Sequence, residues 1–551
     1  MNKALMACLG LFLLTLTVLA GCSGNKQEQE PAETDTIDSL SVSPAGQFPI
    51  VNEKITLKVL VKGSAFVEDF ATNEYTKFLE EKTNIHIEWD VAPEKSAVEK
   101  LNLVLGSGDL PDVIMGFSIS PTQQLIYGGQ GNFIALNDLI EEYGTETKKL
   151  FEQFPKVKDE ITAPGGNIYA LPQVNDCYHC SMAQKTWIYK PWLDKLGLAM
   201  PTTTDEMYEV LKAFKTQDPN GNGKADEIPL AGASVGPSVN IDSFLMNAFT
   251  LNPGDKKLYM NDGKVDVSFN KPEWKDGLAY LHKLYAEGLI APESFTQDRN
   301  QVKQMGENPD IPILGVATAM HNGAFTDFNG ESGRWLDFVA VPPLKGPKGL
   351  QITPFRSSVT QGQYIITSAN KYPEAAFRLA DLMYDQEMTL RNTVGRPGME
   401  WDWAESGEVG INGMQAIWKE LDSDLPTVQN VKWSQVGPSL RTNDFRLGMM
   451  ADPDNPLEVI LYNETKNKYE PFRQKQESVL PELFFTNEQA AELADLDKTI
   501  TDFVKEMTAR FIIGDANLEK EWETYLENLE SMNLPRYLEI YQSAYDAKYK
   551  E

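Results

Sequence analysis

The chain has 551 residues and carries 80 acidic against 50 basic side chains, a formal net charge of −30. That balance argues against nucleic acid as a partner, because phosphate contacts need a basic face; with 42% hydrophobic residues the chain can still build a large core. Four cysteines (Cys8, Cys22, Cys177, Cys180) are too few for a disulfide scaffold, and four histidines argue against a His-rich catalytic metal site.

Lys3 precedes an uncharged run from Ala4 to Ala20, which reads as a secretory signal rather than a membrane span. The run ends in Leu19-Ala20-Gly21-Cys22, which resembles the bacterial lipobox, where cleavage precedes a lipid-modified cysteine. Residues 1–21 are therefore expected to be a lipoprotein signal peptide and Cys22 the lipid anchor to the membrane; a plain signal peptide or an uncleaved anchor is the alternative. Two or more acyl chains would hold the chain stably on the extracellular face. Residues 22–50 open with the polar Ser23–Pro31 and read as a flexible tether.

The body opens with Ile55–Val61, a β-rich run suited to a buried strand. A helix with Tyr75, Phe78 and Leu79 on one face follows, then a strand at His86–Val91, a helix at Ala97–Leu105 and a strand at Asp112–Phe117. This alternation predicts an open α/β sheet, whose ligands sit beyond the carboxyl ends of the strands. A second unit starts near residue 180, with strands at Lys185–Tyr189 and Ile228–Ala233 around a helix at Thr204–Phe214. The last third reads as mainly helical. Leu493, Leu496, Ile500, Phe503, Met507 and Phe511 recur at helical spacing, between a capping box of Thr486 and Gln489 and a stop at Gly514.

Asp218-Pro219-Asn220-Gly221-Asn222-Gly223-Lys224-Ala225-Asp226-Glu227 is the sharpest local motif. Asp218, Asn220 and Asn222 place oxygens at positions one, three and five, and Gly223 stands at the sharp turn of position six. Lys224 would offer its backbone carbonyl and Asp226 its carboxylate. Pro229 replaces the usual bidentate Glu at position twelve, and Glu227 is the substitute. The set suits a structural Ca²⁺; the alternative is a plain Asn/Gly/Asp turn. Cys177 and Cys180 form C-x-x-C with no redox fold around them. Export favours a local disulfide that stiffens a loop, with free thiols next, and His179 adds too few ligands for a metal.

Several segments, in order and spacing, resemble family 1 extracellular solute-binding lipoproteins of bacterial ABC importers. They are Ser107-Gly108-Asp109-Leu110-Pro111-Asp112, the stretch Trp187–Leu198 followed by Pro201-Thr202-Thr203, the loop at 218–227, Phe511-Ile512-Ile513-Gly514-Asp515, the Trp522 and Tyr525 stretch, and Tyr541–Tyr545. The resemblance covers roughly residues 50 to 551; Cys177-Tyr178-His179-Cys180 departs from it. It implies an α/β, two-lobe periplasmic-binding-protein-like type II fold with hinge crossovers and a helical C-terminal part. Lobe one would hold 51–175 and 330–395, and lobe two 176–329 and 396–551. It further implies a monomer that closes on an oligosaccharide and delivers it to importer permease subunits, with Ca²⁺ in the 218–227 insertion.

Sugars are held by aromatic faces and by polar groups on their hydroxyls. Residues expected near strand ends or crossovers are Phe66, Glu68, Phe117, Ser118, Asn175, Asp176, His321, Asn322, Phe325 and Arg356, with Trp401 and Trp403 in the Gly/Pro-rich GRPGMEWDW stretch. For any one aromatic, core packing is as good a reading, and for Trp187 and Trp192 it is the better one. Arg356 could pair a uronate carboxylate, with a surface salt bridge as the alternative. An exported hydrolase would need a carboxylate pair, and no motif supplies one. A ligand-sensing lipoprotein of the same fold stays open.

Overall fold

A computed structural model describes residues 41–236, 238–328, 330–422 and 428–550. The signal segment and Cys22 lie outside the described residues. β1 (Ile55–Lys62), β2 (Ile85–Ala92), β3 (Val113–Met115) and β4 (Leu171–Asn175) come first along the chain. β5 (Thr186–Tyr189), β6 (Ile228–Ala231), the hairpin β7 (Leu258–Asn261) and β8 (Lys264–Val267), β9 (Leu314–Thr318) and β10 (Phe338–Ala340) follow. β11 (Val359–Ile366), the hairpin β12 (Trp401–Trp403) and β13 (Trp418–Glu420), and β14 (Ser439–Arg441) complete the strands.

Two sheets result, of order β14-β4-β11-β3-β1-β2 and β10-β5-β9-β6. In the first, β1, β2, β3, β4 and β14 run one way and β11 the other. In the second, β5 opposes β6, β9 and β10. These are the cores of the two lobes of a periplasmic-binding-protein-like fold.

Pairing fixes how the lobes meet. β4 leaves the carboxyl edge of sheet one and enters sheet two as β5, whose first residue Thr186 stands opposite Thr318 at the end of β9. β10 returns from the same edge to begin β11, where Val359 stands opposite Val174 near the end of β4. The two carboxyl edges are thus wired directly to one another and face across a cleft, the place where open α/β sheets bind ligands. The chain crosses a third time after β14.

Two strands correct the expected lobe boundaries. β10, assigned with 330–395 to lobe one, pairs with β5 of sheet two, and β14, assigned to lobe two, pairs with β4 of sheet one. Strands of three residues carry no readable period. The tether also ends earlier than residue 50. Ile50 is fully buried and its N–H donates to Thr83 O at 3.0 Å, while Arg378 donates to the carbonyls of Ser43 and Gln47.

Trp187 and Trp192 are buried in the core of lobe two, as their packing reading required. The helix Asn487–Ile513 starts at the Thr486/Gln489 capping box and stops at Gly514, left-handed at φ 82°. With Pro272–Ala286, Leu518–Ser531 and Leu534–Tyr549 it packs onto the core of lobe two. Among the described residues hydrogen bonds also tie this region to lobe one: Phe485 N donates to Thr122 Oγ1 at 3.4 Å, and Lys548 Nζ to Glu160 O at 3.0 Å, while Phe484 packs into the lobe-one core. Among the described residues no helix is long and apolar enough to cross a membrane.

Candidate functional site

The three crossovers are stitched together at the floor of the cleft. Asn175 N donates to Ser358 O at 2.9 Å and Asp176 N to Arg441 O at 2.8 Å. Arg446, on the helix Asn443–Leu447, donates from Nη1 to Asn175 Oδ1 at 2.8 Å, and Asn443 N donates to Asp176 Oδ2 at 3.3 Å. Burial raises the Asp176 carboxyl above its ordinary value. Burial, reinforced by neighbouring Arg446, pushes Arg441 down to about 9.

Arg356 is not in a surface salt bridge. Its Nε donates to Cys180 O at 2.9 Å and its N–H to Ser181 O at 3.1 Å, so it clamps the first crossover to the second. That first crossover holds a disulfide between Cys177 and Cys180, with Cα atoms 5.1 Å apart. Lys185 ends it, fully buried. Its ammonium donates to His179 O at 2.8 Å and to Met182 O, and lies 5.1 Å from the Tyr469 ring centre. Burial holds Lys185 down at about 7.

Asn175, Asp176 and Arg356 therefore meet at the floor. Ser118 stands at the exit of β3, accepting from Gln363 Nε2 at 2.7 Å, beside half-buried Phe117. Phe66 and Glu68, at the exit of β1, are exposed and held by their backbones to Gln429. His321, at the exit of β9, stacks on Phe328 at 5.8 Å, and its Nδ1 is buried with no partner. Three expected contacts are corrected. Asn322 is fully buried, with Nδ2 donating to Trp335 O at 2.6 Å. Phe325 packs edge-on against Phe338 in the core. Trp401 is buried against Trp418 and Phe445, its indole N–H donating to Gly395 O at 2.8 Å, while Trp403 beside it is 43% exposed.

A cavity of ≈ 640 Å³ opens at the exit of β6, between Ser234–Asp242 and the helix Asn487–Ile513. Gln184, Ser234, Asn240, Asp242, Lys257, Thr508 and Ala509 are among its walls, and none of the residues expected from the sequence to touch a sugar lines it. The small polar residues that follow β6 were the available signal: strand-end loops of that kind surround ligands in such sheets.

The 218–227 loop joins the helix Thr204–Thr216 to the amino end of β6, opposite the carboxyl edge. Asp218, at φ 47°, accepts the N–H groups of Gly221, Asn222 and Gly223 at 2.9, 3.1 and 3.0 Å. The amides of Asn220 and Asn222 each meet Asp226 at 2.8 Å. Glu227 Oε1 is buried with no partner, and burial raises its carboxyl.

Residues 58–389 match the family model for bacterial extracellular solute-binding proteins. The fructooligosaccharide ABC transporter substrate-binding protein FusA of Streptococcus pneumoniae is 30% identical over 97% of both chains. Its structure with kestose aligns at TM-score 0.73 with 28% identity, covering 89% of this chain and 99% of that one. A FusA EF-hand mutant with fructo-nystose aligns over the same shares at TM-score 0.72 and 28% identity.

Proposed function

Since the chain belongs to the bacterial extracellular solute-binding protein family, we propose that it captures an oligosaccharide between its lobes and hands it to the permease of an ABC importer. It is a binding protein and not an enzyme, as the relatives are. The observation that carries the ligand reading is the pair of carboxyl edges facing across the crossovers, with polar and aromatic groups at the strand exits. The fructooligosaccharide role of a relative matched over nearly the whole length supports a sugar as ligand.

Two further parts of the reading rest on local chemistry. Anchoring through acylated Cys22 follows from the lipobox-like stretch and would keep a monomeric body beside its permease. A structural Ca²⁺ would be held by Asp218, Asn220, Asn222, the Lys224 carbonyl, Asp226 and Glu227. The donors are hard oxygens and Glu227 Oε1 lacks a partner. Asn220 Oδ1 and Asn222 Oδ1 each accept one backbone N–H, from Asn222 at 3.1 Å and Lys224 at 2.7 Å, and an amide oxygen has a second lone pair for an ion.

The test is a thermal shift of the chain from Ser23 onward against oligosaccharides, with each sugar analysed afterwards. Stabilisation by one class, recovered intact, is expected; cleaved sugar would overturn the reading. Calcium at a hundred times its Kd should add about 2.7 kcal/mol of stability. EDTA should remove it, and Asp218→Ala should abolish the EDTA response.

A further inference from the structure

Four arginines gather where the crossovers meet: Arg356, Arg441, Arg446 and Arg473. The chain has thirty more acidic than basic side chains, so a carboxylate beside each is the ordinary expectation. Arg391, Arg396, Arg510 and Arg536, elsewhere, each have one, while Arg334 and Arg378 give their donors to backbone carbonyls instead. Among the described residues none of the four at the crossovers has a carboxylate oxygen within 4.0 Å.

Arg441 and Arg446 are the pair best placed for a ligand. Arg441 ends β14 on the carboxyl edge of sheet one, and Arg446 lies five residues on. Each guanidinium carries five N–H donors and spends one: Arg441 on Gln435 Oε1 at 2.7 Å, Arg446 on Asn175 Oδ1 at 2.8 Å. Both keep partial access to solvent. Glu458 draws on the charge of both arginines and Asp176 on that of Arg446, yet neither bonds to them: Asp176 accepts the Asn443 N–H, Glu458 lies 3.7 Å from His179 Nδ1, and Glu470 meets the Tyr178 hydroxyl. Two half-buried like charges that repel one another, with most donors unspent, are costly for folding alone. Such arrangements mark binding sites, and the guanidinium fork matches a carboxylate in two parallel hydrogen bonds.

We propose that Arg441 and Arg446 receive a carboxylate of the bound sugar, so that the ligand is an acidic oligosaccharide containing a uronic acid. This rests on the oligosaccharide reading and sharpens it. The remaining charges of the floor, Arg356 and Arg473, reinforce the preference at longer range.

Calorimetry on the chain from Ser23 onward decides it, with trigalacturonate and trimannuronate, their carboxyl-reduced counterparts, and kestose. A triuronate should bind, its carboxyl-reduced form at least roughly tenfold more weakly. Arg441→Gln and Arg446→Gln should each weaken the triuronate roughly tenfold to a hundredfold, a larger loss than either causes for the carboxyl-reduced sugar. The carboxyl-reduced comparison uses the unaltered protein, so it stands even where a variant misfolds. Kestose or a reduced sugar binding as tightly as the triuronates overturns the acidic ligand and leaves the oligosaccharide reading intact. Binding of none of these sugars overturns both.

Discussion

The two facing edges of the cleft are built from different materials. The edge of lobe one is polar and cationic, with Asn175, Arg441 and Arg446 held by side-chain hydrogen bonds across the crossovers. At the edge of lobe two, Asn322 and Phe325 have turned into the core, and what remains open is a cavity in which Asp242 and Lys257 neutralise each other at 3.3 Å. The difference teaches that the two walls are chemically unlike: one gathers guanidinium groups, the other leaves open space whose lining also holds Asp255, Asp502 and Lys505.

The largest effect separating the walls should be on stability. Phe325→Ala is expected to cost about 3–5 kcal/mol in urea unfolding, as truncation of a buried phenylalanine does. Phe117→Ala, at the equivalent exit in lobe one but only half buried, should cost less than about 2 kcal/mol. Equal losses would break the contrast.

Lys185 stands between the walls and sharpens the comparison, because its charge is shed closer to neutrality than that of Arg441. Its ammonium ionises at about 7 in the folded chain against an ordinary 10.5. Between those values the unfolded chain binds more protons, so stability rises from pH 7 towards pH 10.5; below pH 7 both states are protonated and the burial penalty is constant. Lys185→Met should flatten that rise in melting curves taken across this range. An undiminished rise would assign it to other groups.

The smallest effect should come from the cavity. Ala509→Trp places an indole in its wall and is expected to weaken the longest oligosaccharides about tenfold while sparing trisaccharides. Calorimetry along a chain-length series checks it, and equal loss at every length would detach the cavity from the ligand path.

Much of this was legible in the sequence where the signal is local. The alternation that made β1, β2 and β3, the Thr486/Gln489 capping box and the Gly514 stop depend on neighbours a few residues away. Trp401 was misplaced because W-D-W sits in a Gly/Pro-rich stretch and its strand, β12, is only three residues long, too short to show a period. The Arg441–Arg446 recess was invisible for another reason. Asn175 and Arg446 are 271 residues apart, and an arginine in an acidic chain reads as solvated until the fold shows what it lacks. The cavity likewise depends on a helix that arrives some 260 residues after the loop it covers, as the spacing of Asp242 and Asp502 records.

The helix Asn487–Ile513 spans about 40 Å and, through Phe485, touches lobe one at Thr122 before running under lobe two. A pivot of the lobes about their crossovers would load that strut like a spring. Its grip on Thr122, with that of Lys548 on Glu160, would then enter the free-energy difference between open and shut forms. Loosening either grip alters how much of the empty protein is ready to bind, and so retunes apparent affinity from a distance without touching the ligand.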